Sequence, residues 1–209
     1  MPAVSEPAAA LDQLAALLRA DDSVISPMVG DPRGEPVLGR LVAAGPRTAE
    51  APGEYALVVE AVREGYLLHY APASTRVVRD ADGDLALLGG DYLYALGLER
   101  LAAIGDLSAV RELSDLISLA AQLHDGSRAA ERAEREATAL WLGCATAIAA
   151  GPGSAYERAK AEVGTGAAAA AESLIAAATE AAAVAGLGHP LERAAAGLDF
   201  PTHHLPSLG

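Results

Sequence analysis

Fifty of the 209 residues are alanine and only eight are aromatic. Alanine is the strongest intrinsic helix former, whereas sheets lean on aromatic and β-branched side chains. This composition excludes an all-β fold and predicts an all-α chain. Hydrophobic residues make up 52% and charged residues 21%, which is too apolar for a disordered segment, and the length suffices for one buried core. The net charge of −13 would be repelled by a phosphate backbone, so no nucleic-acid partner is expected. A lone cysteine, Cys144, excludes an internal disulfide framework and fits a reducing, cytoplasmic compartment. The most apolar windows, 137–150 and 166–187, are too short or carry Glu172 and Glu180, so no membrane span is expected. The first seven residues lack the basic stretch of a secretory leader.

Apolar periodicity and punctuation predict helices over 8–20, 37–44, 54–70, 85–104, 107–124, 128–149 and 154–184. Clusters of Gly, Pro and Asp separate them, as at Gly45-Pro46, Asp82-Gly83-Asp84, Gly105-Asp106 and Gly151-Pro152-Gly153. The expectation is a single helical domain over 1–185, a bundle of about seven or eight helices. A loosely ordered tail is expected over 186–209.

Several candidate sites have plainer readings. Asp80, Asp82 and Asp84 have the spacing of a calcium loop, but Leu85 stands where that loop needs glycine, so a solvated turn is expected. His203 and His204 have no partner at zinc-ligand spacing. Cys144 sits among Trp141, Leu142 and Ile148 and reads as a core residue. Gly164 and Gly166 follow no strand, which disfavours a phosphate loop and suggests close helix contact. The alanine-rich stretch 155–183 offers a smooth face for a partner or for the interior of the bundle.

One ordered set of motifs stands out. Val59-Glu60-Ala61-Val62-Arg63-Glu64-Gly65-Tyr66-Leu67-Leu68-His69 is followed by Leu87-Leu88-Gly89-Gly90-Asp91-Tyr92-Leu93-Tyr94-Ala95, then by Gly105-Asp106. Next come Ala137-Thr138-Ala139-Leu140 and Gly164-Thr165-Gly166. In this order, over about residues 30–180, they resemble the isoprenyl (polyprenyl) diphosphate synthases. There a Glu stands nine residues before the Leu-Leu-His that leads into the first aspartate-rich motif.

The resemblance implies a truncated isoprenyl-synthase-like helical bundle. It also implies a lost chemistry. The family holds Mg²⁺ and an allylic diphosphate on two facing aspartate motifs. Here His69 is followed by Tyr70-Ala71-Pro72-Ala73-Ser74-Thr75-Arg76, and Gly166 by five alanines and a lone Glu172. The chain is therefore expected to be a degenerate small-subunit-like member with no catalytic residue and no metal ligand. Its expected function is that of a non-catalytic subunit of a heteromeric long-chain polyprenyl diphosphate synthase in isoprenoid biosynthesis, paired with a catalytic subunit that carries the Mg²⁺. Glu60, Tyr66, His69, Asp91, Tyr94 and Gln122 are the candidates for a vestigial cavity. Asp91, flanked by glycine and tyrosine, also reads as a buried carboxylate bonded to a neighbouring helix. Residues of these types are more often found otherwise, Glu60 as a surface carboxylate and His69 as a hydrogen-bonded core histidine. The alternative is a self-standing homodimer binding an apolar prenyl lipid. A third reading is a prenyltransferase with a rebuilt site in which Arg76 and Arg79 hold the diphosphate.

Overall fold

The computed structural model describes residues 7–201; the opening six residues and residues 202–209, His203 and His204 included, lie outside the described part. Nine α-helices occupy it: α1 (Ala10–Ala20), α2 (Val37–Ala43), α3 (Pro52–Tyr70), α4 (Gly83–Ile104), α5 (Leu107–Leu123), α6 (Ala130–Ala150), α7 (Ser154–Thr165), α8 (Ala170–Ala185) and α9 (Gly188–Gly197). The only extended pairing among the described residues is one antiparallel bridge between Val29 and Val78. No helix among them is long and apolar enough to cross a membrane.

α3 is the axis of the molecule. It buries 14 of its 19 residues, the signature of a helix enclosed on all sides. α4 lies along it, and the two come together at glycines. A Cβ on Gly65 would stand 2.9 Å from the carbonyl oxygen of Gly90, and one on Gly97 would run into the Val62 side chain. Close helix approach is therefore located at α3–α4. Gly164 and Gly166 do not provide it: Gly166 instead adopts φ +71° and caps α7. That left-handed residue, unstrained only in glycine, splits the stretch expected as one helix into α7 and α8. Arg128 and Arg132 of the α6 end secure the turn. They donate to the carbonyls of Val163 (2.8 Å), Gly166 (3.0 Å) and Ala167 (2.9 Å).

The expected loose tail is corrected over most of its described length. Gly188–Gly197 form α9, and Leu191, Ala194, Ala195 and Phe200 are buried in the main core. Among the described residues the count of helices is accordingly nine, not seven or eight. The alanine face of α8 packs inside the bundle, with Ala170, Ala171, Ala177, Ala178 and Ala182 buried, although Val184 is 88% exposed.

Asp106 ties three elements together at the α4–α5 corner. Gly105 ends α4 at φ +85°, and Asp106 caps α5 by accepting from the Ala109 N–H at 3.0 Å. The same carboxylate accepts from Arg47 at 3.0 and 3.1 Å and from the Tyr55 hydroxyl at 2.8 Å. Burial opposes ionisation of Asp106, but the backbone, Tyr55 and Arg47 outweigh it and its pKa is lowered. Arg47 also donates to the Ile148 carbonyl at 2.9 Å, covering the C-terminal end of α6.

Lys160, the chain's one lysine, is 5% exposed. Its ammonium lies 2.6 Å from Glu112, 2.7 Å from Asp115 and 3.2 Å from Glu157. Burial pulls its pKa down, yet the Asp115 and Glu112 hydrogen bonds prevail and the net shift is upward. Cys144 is buried, and desolvation pushes its thiol far above the usual range, so it is an inert core group.

Candidate functional site

A cavity of about 710 Å³ opens between α3, the N-terminal half of α6 and the end of α9. Its walls mix Val37, Leu67 and Phe200 with Arg63, Arg135 and Glu134. An adjoining hollow of about 550 Å³ between α2 and α9 shares Val37 and Gly197 with it. A cavity of this size, with apolar walls and a few convergent charges, is where ligand binding is first sought.

The polar side chains of α3 divide into two sets. Glu60 and Glu64, both 0% exposed, turn away from the cavity. Glu60 accepts the Gly39 N–H at 2.7 Å and lies 2.5 Å from the Arg76 guanidinium. Glu64 accepts from the backbone N–H groups of Arg76, Val77 and Val78 at 2.9, 2.7 and 2.9 Å, and its second oxygen is 3.4 Å from Arg76 Nε. Desolvation lowers the Arg76 pKa, but the two carboxylates more than offset it and the net shift is upward. The segment after α3 is thus a strap. Its other edge pairs with the 28–33 loop through Gly30 N–H to Val77 O at 3.0 Å, Arg33 N–H to Arg76 O at 3.0 Å and Arg79 N–H to Met28 O at 2.9 Å.

Arg63 belongs to the other set. Its guanidinium lines the cavity together with Tyr66 and lies over the rings of Tyr66 (4.8 Å) and of the buried Trp141 (5.1 Å). Desolvation lowers its pKa to about 10, which still leaves it a cation at neutral pH. Among the described residues no carboxylate stands at ion-pair distance from it, whereas Arg76 and Arg135 on the same cavity are paired with Glu60 and Glu172.

Beside Arg63 runs an aromatic ladder. Trp141 meets Tyr66 edge-on at 5.6 Å, Tyr66 tilts against Tyr70 at 5.2 Å, Tyr70 stacks on His124 at 4.3 Å, and His69 stacks on Tyr94 at 5.1 Å. The Tyr66 hydroxyl and His124 Nε2 share a hydrogen bond of 2.9 Å. Burial lowers the His124 pKa below 6.5, with Glu134 pulling it partly back. A histidine depressed in the folded state stabilises fully above its unfolded value, and that contribution is lost as pH falls through 6.5 and then the folded value. The urea midpoint of the native protein should therefore drop between pH 7 and 5.5 more steeply than that of His124→Gln. Parallel slopes for the two chains would remove His124 from this role.

The residues expected at a cavity are only partly brought together. Tyr66 lines it, and so does Arg76, but with its charge committed to Glu60 and Glu64. His69 and Tyr94 join the ladder, outside the cavity walls. Asp91 is exposed, contrary to the expectation of a buried carboxylate bonded to a neighbouring helix, and lies 3.3 Å from His69 without hydrogen-bond geometry. Glu60 is buried instead of lying at the surface, and points toward α2. Gln122 is exposed on α5, away from the cavity. Arg79 donates to the Asp31 carbonyl and is not directed at the cavity. Sequence reasoning passed over Arg63. Its signal was the one arginine of α3, three residues before Tyr66.

This donor set does not suit a magnesium cluster. Hard divalent cations need several converging oxygens, and the α3 carboxylates are tied to Arg76 and the strap. Among the described residues no three His, Cys, Asp or Glu side chains are placed to hold a metal ion together. Asp82 caps α4 through the Leu85 N–H at 3.0 Å, as a solvated turn would have it. Compared with known protein families, with curated proteins and with solved structures, the chain matches none of them.

Proposed function

We propose that the chain is a non-catalytic subunit of a heteromeric long-chain polyprenyl diphosphate synthase. The observation that carries this reading is the fate of the α3 end. In the family that α3 resembles, this end presents aspartates to Mg²⁺ beside the substrate diphosphate. Here the helix stops at Tyr70, and its two internal carboxylates, Glu60 and Glu64, hold the Arg76–Val78 strap. The bundle has kept the helix and turned its acidic groups into structural fasteners. A catalytic partner would then supply the Mg²⁺ and bind the diphosphates, while this chain completes the dimer and lends apolar wall to the product tunnel.

The test is co-expression with a full-length polyprenyl diphosphate synthase that has intact aspartate motifs, followed by size exclusion and product analysis. The expected result is a stable complex whose product length differs from that of the synthase alone, with no turnover by this chain and Mg²⁺ by itself. Prenyl transfer by the isolated chain overturns the proposal. A homodimer that ignores the synthase and carries a co-purified prenyl lipid would replace it with the carrier reading.

A further inference from the structure

We infer that the cavity between α3, α6 and α9 binds a monocarboxylate with an apolar body, its carboxylate held by Arg63. The inference is independent of any pairing with a synthase, because it concerns groups within this chain alone.

The guanidinium of Arg63 is the starting point. Tyr66 and Trp141 lie on one side of it, with ring centroids at 4.8 and 5.1 Å. Contact with aromatic rings still leaves N–H donors of the cation to find acceptors. No described carboxylate comes within ion-pair reach, although the neighbouring arginines of the cavity have theirs. Arg63 is half-buried on the cavity wall; a cation drawn partly out of water without a counter-anion is costly, and its pKa is lowered in the direction that this cost predicts. A planar carboxylate meets a planar guanidinium through two parallel hydrogen bonds and removes the deficit.

The charge of the ligand follows from its surroundings. Glu131, Glu134 and Asp199 also line the cavity, as does Glu35, which is paired with Arg40. Arg76 and Arg135 are neutralised by Glu60, Glu64 and Glu172. Among the described residues one lining cation is left to answer an incoming anion, and the acidic lining repels further negative charge. A single carboxylate fits this balance; a diphosphate does not. Val37, Leu67 and Phe200 provide apolar wall for the rest of the molecule. The volume of about 710 Å³ falls within the range of about 300–1,000 Å³ usual for small-molecule pockets.

Trp141 is the chain's one tryptophan and lies directly beneath Arg63, so its fluorescence reports the site. The experiment titrates the full chain with decanoate, decanol and geranyl diphosphate in the absence of divalent metal. Decanoate should give a saturable change in Trp141 emission, with decanol at least about tenfold weaker, as loss of a charge-assisted hydrogen bond implies. Arg63→Met should weaken decanoate by about tenfold and bring it level with decanol. Glu134→Gln, which removes repulsion without touching Arg63, should tighten decanoate. This second variant and the headgroup series decide the matter even if Arg63→Met fails to fold. Equal binding of decanoate and decanol, tighter binding of the diphosphate, a folded Arg63→Met with unchanged affinity, or no response at all overturns the inference.

Discussion

Replacing Arg76 with methionine should cost the protein about 3–5 kcal/mol of unfolding free energy, the loss expected when one member of a buried ion pair is removed. The stem of the side chain is kept, so the loss is electrostatic. Glu60 and Glu64 are both fully buried, and Arg76 is the cation facing them. Without it, Glu64 still has three backbone N–H donors, while Glu60 keeps only the Gly39 N–H. The damage is therefore concentrated at Glu60. Combining Arg76→Met with Glu60→Gln should recover part of the loss, because the amide oxygen still accepts from Gly39 and no uncompensated charge remains. The measurement is the urea midpoint at constant slope. A single variant within about 1 kcal/mol of the native protein would mean that the triad is not the fastener described, since even exposed pairs reach that value.

The second large effect is expected at Gly45. Its backbone is extended, at φ −76° and ψ 148°, so any residue could adopt its conformation. Space is the constraint. A Cβ there would stand 2.6 Å from the Cα of Ala149, inside the backbone of α6. Backbone cannot swing aside as the end of a side chain can, and the same connection is pinned by Arg47 to Ile148 and Asp106. Gly45→Ala should destabilise by about 3 kcal/mol, at the upper end of ordinary overpacking. Gly153→Ala is the control, because nothing lies within 4 Å of its added carbon. If both variants melt together, the α2–α3 connection is looser than its contacts imply.

Most of the helices were legible in the sequence because strong local signals bound them. The break at Gly105-Asp106 marks a left-handed cap followed by a side-chain cap, and α5 begins one residue later. Pro72 and Ala71 end α3 where expected. The alanine run after residue 154 hid its own break, since alanine favours helix everywhere and only the backbone conformation of Gly166 divides it. α9 was missed for a related reason. Ten residues containing Pro190 and three alanines show little periodicity, and their burial depends on contacts with α2 that lie far away in sequence. The candidate site was less legible. Tyr66 and His69 could be placed on one helix by counting, but Arg76, Val77 and Val78, which meet Glu60 and Glu64, lie 12 to 16 residues further along the chain, on a segment with no regular structure. No spacing rule connects a helix to such a strap. Arg63 is told apart from the other cavity arginines only by the lack, among the described residues, of a carboxylate at ion-pair distance, a property of three dimensions.

The Lys160 knot has a practical consequence. The ε-amine is gripped by three carboxylates and sealed from solvent, so acylating reagents reach this side chain only when α5 and α7 come apart. With no second lysine in the sequence to blur the signal, acetylation at this position becomes a clock for opening events, ticking at the rate at which molecules leave the native state.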